Sequence, residues 1–170
     1  MSLSAERSAE VGALPVDPDV GGRGVAAGRR HGAQRTILLA VAFAGAAGAL
    51  ARYGIGLLLP WGAAAVPWSV VLINLTGSCL LGVVLVLVTE RFPRARLARP
   101  LLATGFLGAY TTFSTYAVGV DLLLRRHDFA SAGLYCGVSL VGGMVAAILG
   151  IAAGRFLVHL EARVDDQLSS

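Results

Sequence analysis

The sequence predicts an all-α membrane protein with four transmembrane helices. Of its 170 residues, 56% are hydrophobic and only 14% are charged, and the mean hydropathy is +0.73. Soluble domains have about a quarter of their residues charged, so this chain is too apolar for that class. Four segments approach the roughly 20 apolar residues that cross a bilayer. These predicted spans are residues 36–59, 68–88, 100–124 and 131–153.

The segments outside the spans are polar or short. Residues 1–33 are rich in Gly, Ala and Pro and lack apolar periodicity, which predicts a disordered tail. Residues 34–160 form the predicted four-helix membrane domain, and the polar residues 161–170 form a second tail. The connections within the membrane domain are too short to hold an extramembrane active site. We therefore expect no enzyme and place the function inside the membrane.

The basic residues of the chain are all arginine. These 14 residues do not form the single patch that nucleic-acid binding requires, so we expect no nucleic-acid partner. Apart from Arg7 in the tail, ten arginines fall on the side of the termini in a four-helix topology and three on the opposite side. We expect a multi-pass protein of the inner (plasma) membrane, and the positive-inside rule places both termini in the cytoplasm.

The first span carries one arginine near its end, Arg52 in the stretch GALARYG. An ionisable group inside a bilayer is costly and usually functional, but an arginine near a helix end can also snorkel to the interface, and both interpretations stay open. The only other charged side chain within the spans is that of Asp121, close enough to the end of the third span to reach headgroup water. Without a buried carboxylate, proton-coupled and cation-exporting transporters are disfavoured. An interior rich in hydrogen-bond donors suits an anion instead.

The second span contains Asn74, in SVVLINLTGS, with apolar neighbours on both sides. Its amide can join two helices through a hydrogen bond or offer donors to an anion, and the sequence leaves both open. Cys79 in this span and Cys136 in the fourth are most simply small packing residues. Neither a disulfide nor a cysteine metal site is expected.

The third span has a run of hydroxyl groups, YTTFSTY at residues 110–116, in which every side chain except that of Phe113 carries one. A single hydroxyl in a membrane helix often bonds back to a carbonyl of its own helix, but six in seven residues exceed that explanation. Because the run follows GFLGA, the span is predicted to break there, in the middle of the membrane. A broken helix is tolerated only inside protein or beside a wet cavity, and its freed carbonyls can hold a cation. On an unbroken helix, Phe113 and Tyr116 would share a face.

The fourth span has a face of small residues at a spacing of four, namely Gly142, Ala146, Gly150 and Gly154. Such a face allows close backbone approach, and with Gly45 and Gly48 in the first span it predicts assembly into an oligomer. Tyr135 and Ser139 are also four apart and share a helical face.

Three stretches together resemble one family: GAAGALARYG in the first span, NLTGSCLLG in the second and GFLGAYTTFSTY in the third. By these motifs the chain is similar to the CrcB/Fluc family of bacterial fluoride channels, from about residue 36 to residue 157. The resemblance implies an antiparallel, dual-topology dimer with two fluoride pores. It also implies a central structural sodium ion, not transported, that is held by the backbone carbonyls of Gly108 and Thr111.

The resemblance also implies where the fluoride pore lies. The pore residues that it implies are Asn74, Phe113, Thr115, Tyr116, Tyr135 and Ser139. Arg52 becomes an anion-attracting or structural residue. The tyrosine at position 116 departs from the family's phenylalanine, although it keeps an electropositive ring edge that can face an anion. Gly143 and Ala147 also depart from the family, which often has hydroxyls at those positions.

The resulting hypothesis is a passive, fluoride-selective channel that exports cytoplasmic fluoride and so reduces fluoride toxicity. In it, the hydroxyls of the third span satisfy the broken helix and offer donors to an ion that has shed its water. One alternative is a coupled small-anion transporter, and another is a non-conducting partner subunit of a heterodimeric fluoride channel. The expected partners are fluoride, sodium, membrane lipid, and either an identical subunit or an oppositely oriented relative. The arginine asymmetry favours the relative, because it favours one orientation of this chain.

Overall fold

The described part of the chain is entirely helical in its regular structure. The computed structural model describes residues 23–61 and 66–169, and every regular element within them is a helix. The α-helices are α1 (Arg23–Leu58), α2 (Trp68–Val86), α3 (Gly108–Tyr110), α4 (Phe113–Arg125) and α5 (Phe129–Ser169). Two π-helical segments, Leu87–Arg91 and Arg99–Leu107, extend α2 and lead into α3. The predicted all-α class is confirmed for these residues.

Three helices are long and apolar enough to cross a membrane: Gln34–Leu58, Trp68–Arg91 and Phe129–Val164. They correspond to the first, second and fourth predicted spans, and they make the chain a multi-pass membrane protein. The third predicted span is not one helix, because the chain leaves the helical conformation at Thr111 and Thr112. The described residues therefore contain three continuous spans and one interrupted segment.

Residues Ile37–Ser170 form one compact unit, and α2 lies at its centre. In the most apolar stretch of α2, 33% of the residues are buried within the chain, against 6% in α1 and 6% in α5. One buried cluster joins Val71 to Tyr135 of α5. Another joins Ile73 to Tyr110 beside the interruption. A helix that is apolar on all its faces suits this central position. α2 packs against the interrupted segment both before and after the interruption.

The small residues of α5 and α1 pack within the chain. A Cβ added to Gly150 would collide with the backbone of Cys79 on α2, so glycine is needed for the two helices to approach this closely. In α1, Gly48 faces the backbone carbonyl of Phe106 in the same way. The interpretation of these faces as contacts between subunits is therefore corrected, since they serve packing inside one chain.

The first and last helices run past the predicted boundaries of the membrane domain. α1 begins at Arg23, so the last part of the predicted disordered tail is helical, while residues 1–22 lie outside the described residues. α5 continues to Ser169, through the predicted polar tail. An ion pair between Arg91 and Glu161, with Nε and Oε2 2.8 Å apart, joins this extension of α5 to the end of the α2 span.

The connection between α4 and α5 is a short turn with a cap on each side. The N–H groups of His127 and Asp128 donate to the carbonyls of Leu124 and Leu123 at 2.9 and 3.1 Å, the pattern of a Schellman C-cap. This cap places His127 at a positive φ of 60°. Asp128 then begins α5 by accepting the Ser131 N–H through Oδ1 at 3.1 Å. Hydrogen bonds from the Ser131 side chain and backbone hold the pKa of Asp128 below its ordinary value.

Candidate functional site

Two threonines build the break in the third predicted span. Thr111 (φ −74°, ψ 157°) and Thr112 (φ −147°, ψ 122°) are extended between α3 and α4. Thr111 closes α3, because its N–H and its hydroxyl both donate to the Leu107 carbonyl at 3.0 Å. Thr112 is the N-cap of α4, and its hydroxyl accepts the Thr115 N–H at 3.2 Å. Hydroxyl groups therefore cap both helix ends that the break creates.

Asn74 joins α2 to the backbone of the break. Its Nδ2 donates to the Thr112 carbonyl at 3.0 Å, and its Oδ1 accepts the Thr112 N–H at 2.9 Å. Two bonds to one residue fix the orientation of the side chain, and the second N–H of the amide has no acceptor among the described residues. Asn74 thus joins α2 to the interrupted segment, which was one interpretation of this residue. Its remaining N–H is the kind of donor that the other interpretation, binding of an anion, requires.

Two further contacts hold the same segment against α2. The hydroxyls of Thr76 and Tyr110 lie 2.8 Å apart. Because the Thr76 hydroxyl donates to a carbonyl of its own helix at 2.7 Å, the Tyr110 hydroxyl is the donor between them. A Cβ at Gly77 would collide with the methyl group of Thr111, so glycine lets the break lie directly against the helix. We call the three pairs together the α2 clamp: Asn74 with Thr112, Thr76 with Tyr110, and Gly77 with Thr111.

The clamp leaves two carbonyls of the break without a backbone partner. In a continuous helix the Thr112 N–H would donate to the Gly108 carbonyl, but here it is bonded to Asn74. Among the described residues, no hydrogen bond reaches the carbonyl oxygen of Gly108 or of Thr111. These are the two carbonyls that the family resemblance assigns to a sodium ion. Free carbonyls at a broken membrane helix are suitable cation ligands, so these residues fit such an ion.

A cavity of about 310 Å³ opens beside the break. The lining residues with polar groups, aromatic rings or exposed backbone are Asn74, Ser78, Gly108, Thr111, Thr112, Phe113, Tyr116 and Ser139. Apolar side chains complete the wall, those of Leu81, Ala103, Leu107 and Leu140. None of these lining residues is charged, so only dipoles and ring edges face an ion in the cavity.

Three aromatic rings lead from the cavity into the core. The ring centroids of Phe113 and Tyr116 are 5.8 Å apart, and those of Tyr116 and Tyr135 are 5.3 Å apart. Phe113 is 78% exposed in the single chain, whereas Tyr135 is fully buried. The buried hydroxyls of Tyr135 and Ser139 have no hydrogen-bond partner among the described residues. Because an unpaired buried hydroxyl destabilises the fold, these two groups are candidates to bind a ligand in or beside the cavity.

The structure brings together most of the predicted site residues but not all of them. Thr115 bonds to the cap of α4 and does not line the cavity, and neither does the half-buried Arg52 of α1. Tyr135 contacts the ring of Tyr116 but is fully buried and does not line the cavity either. Asp121 forms an exposed ion pair with Arg125 at 2.7 Å, which fits its interpretation as an interfacial residue. Ser78 lines the cavity but was missed by the sequence prediction. Its position one helical turn after the predicted pore asparagine is the signal that identifies it.

Comparisons with known proteins agree on one family. Residues 39–151 match the sequence model of the family described as CrcB-like protein, Camphor Resistance (CrcB). A Streptomyces avermitilis protein named fluoride-specific ion channel FluC 3 is 39% identical over 131 residues, which are 77% of this chain and 64% of that protein. A Geobacillus kaustophilus protein named fluoride-specific ion channel FluC 2 is 43% identical over 122 residues, 70% of this chain and 93% of its own length. A Nitrobacter winogradskyi protein named fluoride-specific ion channel FluC is 36% identical over 126 residues, 74% of this chain and 97% of its own length. The chain thus spans slightly less than two thirds of the Streptomyces protein and nearly all of the other two.

Proposed function

The chain belongs to the CrcB family, and on this premise we propose that it is a fluoride-selective channel through which fluoride leaves the cytoplasm down its own gradient. It is an ion channel and not an enzyme, and export of this kind reduces fluoride toxicity. The observation that carries the proposal is the uncharged cavity beside the break. Its lining includes Asn74, which carries an amide, and Ser139, whose buried hydroxyl has no hydrogen-bond partner among the described residues.

The chemistry of this wall suits fluoride better than chloride. Fluoride is small and tightly hydrated, so a selective path has to replace its water with hydrogen-bond donors at short range. Because electrostatic attraction rises as distance falls, each donor stabilises fluoride more than the larger chloride. The electropositive ring edges of Phe113 and Tyr116 narrow the path and can face the same anion. Carboxylates would repel the ion, and the described lining contains none.

A structural sodium ion and a second subunit are part of the proposal. The carbonyls of Gly108 and Thr111 would hold the sodium, and two carbonyls from one chain are too few for a monovalent cation, so a partner has to supply the rest. When bound, the ion offsets the partial negative charge on these oxygens. A partner would also cover Phe113, which is 78% exposed in the single chain. We infer an antiparallel dimer with two pores and one sodium on its two-fold axis.

The arginine distribution supports a second candidate function, a subunit of a heterodimeric channel. Ten arginines on the side of the termini against three on the other favour plasma-membrane insertion with both termini in the cytoplasm. A dual-topology homodimer needs insertion in both orientations, so this asymmetry favours pairing with an oppositely oriented relative. In a labelling experiment, we expect a cysteine placed at the N-terminus to react from one face of the membrane only. Equal labelling from both faces would restore the homodimer.

Ion efflux from vesicles that contain only this protein tests the proposed function. Fluoride- and chloride-selective electrodes measure both ions on the same vesicles, without a proton or sodium gradient. We expect fluoride efflux with little chloride efflux. Comparable chloride efflux contradicts the selectivity, and efflux that requires a proton or sodium gradient identifies a coupled transporter instead. Efflux that appears only after a relative is added identifies a partner subunit.

A further inference from the structure

Ser78 presents an available hydroxyl to the cavity. It lies one helical turn after Asn74 on α2, and both residues line the same wall. The hydroxyls of Thr76 and Thr89 each donate to a carbonyl four residues earlier at 2.7 Å, as hydroxyls in membrane helices commonly do. Within the described part of the chain, the Ser78 hydroxyl makes no hydrogen bond of this kind. Its O–H is therefore able to bind a ligand in the cavity.

Ser78 also continues a row of hydroxyls that α5 does not complete. Tyr135 and Ser139 are one turn apart on α5, and both hydroxyls are buried without a partner among the described residues. The next position on that face is Gly143, which has no side chain. A Cβ at Gly143 would lie 3.8 Å from the Oγ of Ser78. The hydroxyl from α2 thus lies beside the place that a side chain at position 143 would fill.

We propose that Ser78 is a fluoride-binding residue, whose hydroxyl is the next donor after that of Ser139 along the cavity. The inference rests on the proposed fluoride channel. Successive turns of a helix lie about 5.4 Å apart, so a donor missing at one turn leaves a gap that a dehydrated anion crosses only at a large free-energy cost. A serine hydroxyl can rotate to donate over a range of directions, which suits an ion in transit. The remaining N–H of Asn74, one turn away, extends the same row.

Removing the hydroxyl and restoring it from the opposite helix tests the inference. Ser78→Ala should reduce the fluoride efflux rate by at least about tenfold, the lower end of the effect expected when a hydrogen bond to an ion is lost. Adding Gly143→Ser to that variant supplies a hydroxyl beside the lost one and should restore most of the rate. Thr89→Val is the matched control, because its hydroxyl bonds to its own helix away from the cavity. Its rate should stay within about twofold of the wild type.

The outcomes separate this inference from the proposed function. Wild-type efflux from Ser78→Ala would overturn the role of Ser78 and leave the fluoride channel intact. Ser78→Ala could instead lose efflux that Gly143→Ser does not restore, although the double variant assembles as the wild type does. This result would mean that Ser78 serves packing and does not bind fluoride. If the double variant does not assemble, Ser78→Thr and Ser78→Val make the same comparison, because their side chains have nearly the same shape and only threonine keeps the hydroxyl. Absence of efflux from the wild type, both alone and with an oppositely oriented relative added, would overturn the channel and this inference together.

Discussion

Replacing Asn74 by alanine detaches the break from α2, and the geometry sets the size of the effect. The change removes two hydrogen bonds to Thr112, of 3.0 and 2.9 Å. Thr112 is only 7% exposed, so water does not replace them. The N–H left without a partner costs about 1–3 kcal/mol, and the carbonyl, which loses the bond from the Asn74 amide, costs about 1 kcal/mol more. The free energy of unfolding should therefore fall by about 3 kcal/mol.

One local rearrangement would reduce that cost. The Thr112 N–H can turn back to the Gly108 carbonyl and close the break into a more continuous helix. This rearrangement removes one of the two carbonyls proposed for sodium. Asn74→Ala should therefore lose either about 3 kcal/mol of stability or the part of its stability that depends on sodium. Fluoride efflux should fall sharply in both cases, since an amide donor is also lost from the cavity wall.

Titration with a denaturing detergent in mixed micelles, with sodium and without it, measures both effects. The chain's two tryptophans, Trp61 and Trp68, report unfolding near the start of α2. Thr76→Val provides an internal comparison, because it removes the hydroxyl that accepts from Tyr110 and bonds back to its own helix but leaves both Asn74 bonds in place, and it should cost about 0.5–1 kcal/mol. An Asn74→Ala protein within about 0.5 kcal/mol of the wild type under both conditions would refute the α2 clamp.

Three further changes have defined outcomes. Phe113→Ile should abolish fluoride efflux in an assembled protein, because it removes an electropositive ring edge from the cavity wall; normal efflux at a fluoride electrode would exclude Phe113 from the path. His127→Gly should raise the free energy of unfolding by up to about 1 kcal/mol, since His127 has a φ of 60° that glycine adopts without a Cβ clash, and a lower melting temperature would contradict this. The lowered pKa of Asp128 means that its cap stabilises α5 fully only above the ordinary pKa of 3.8 and is lost as the pH falls through the lower, folded value. Asp128→Asn keeps a cap without titrating, so the difference in melting temperature between the two proteins should change below about pH 4, and a constant difference down to about pH 2 would show that Asp128 does not act as a titrating cap.

The break was predictable from the sequence because its signals are local. Threonine carries a group that caps a helix end, and two of them side by side after a glycine-containing stretch mark the place where α3 ends and α4 begins. The partner of Asn74 was not predictable in the same way. It lies 38 residues further along the chain, and the register between two packed helices depends on how both fit together.

The partners of the small-residue faces and of the charged helix ends were likewise not predictable from the sequence. A spacing of four predicts close approach but does not say to what, and Gly150 approaches Cys79 of its own chain. The sequence predicts a polar tail at residues 161–170, whereas α5 continues to Ser169 and the ion pair between Arg91 and Glu161 joins this extension to the end of the α2 span. Motif position alone also placed Arg52 in the site, although the side chain does not line the cavity.

The α2 clamp pairs two short stretches, 74–77 and 110–112, so neither can gain or lose a residue without disturbing its contacts with the other. Its three pairs share one register, so an insertion inside either stretch would misalign partners that lie 38 residues apart in the case of Asn74 and Thr112. A change of length in the connection 92–98 would misalign none of them, because the pairing is set within the packed helices. Related chains should therefore vary in length in that connection and keep a constant count within each stretch. A chimaera with an exchanged connection should fold, whereas one with a residue inserted between Asn74 and Gly77 should not.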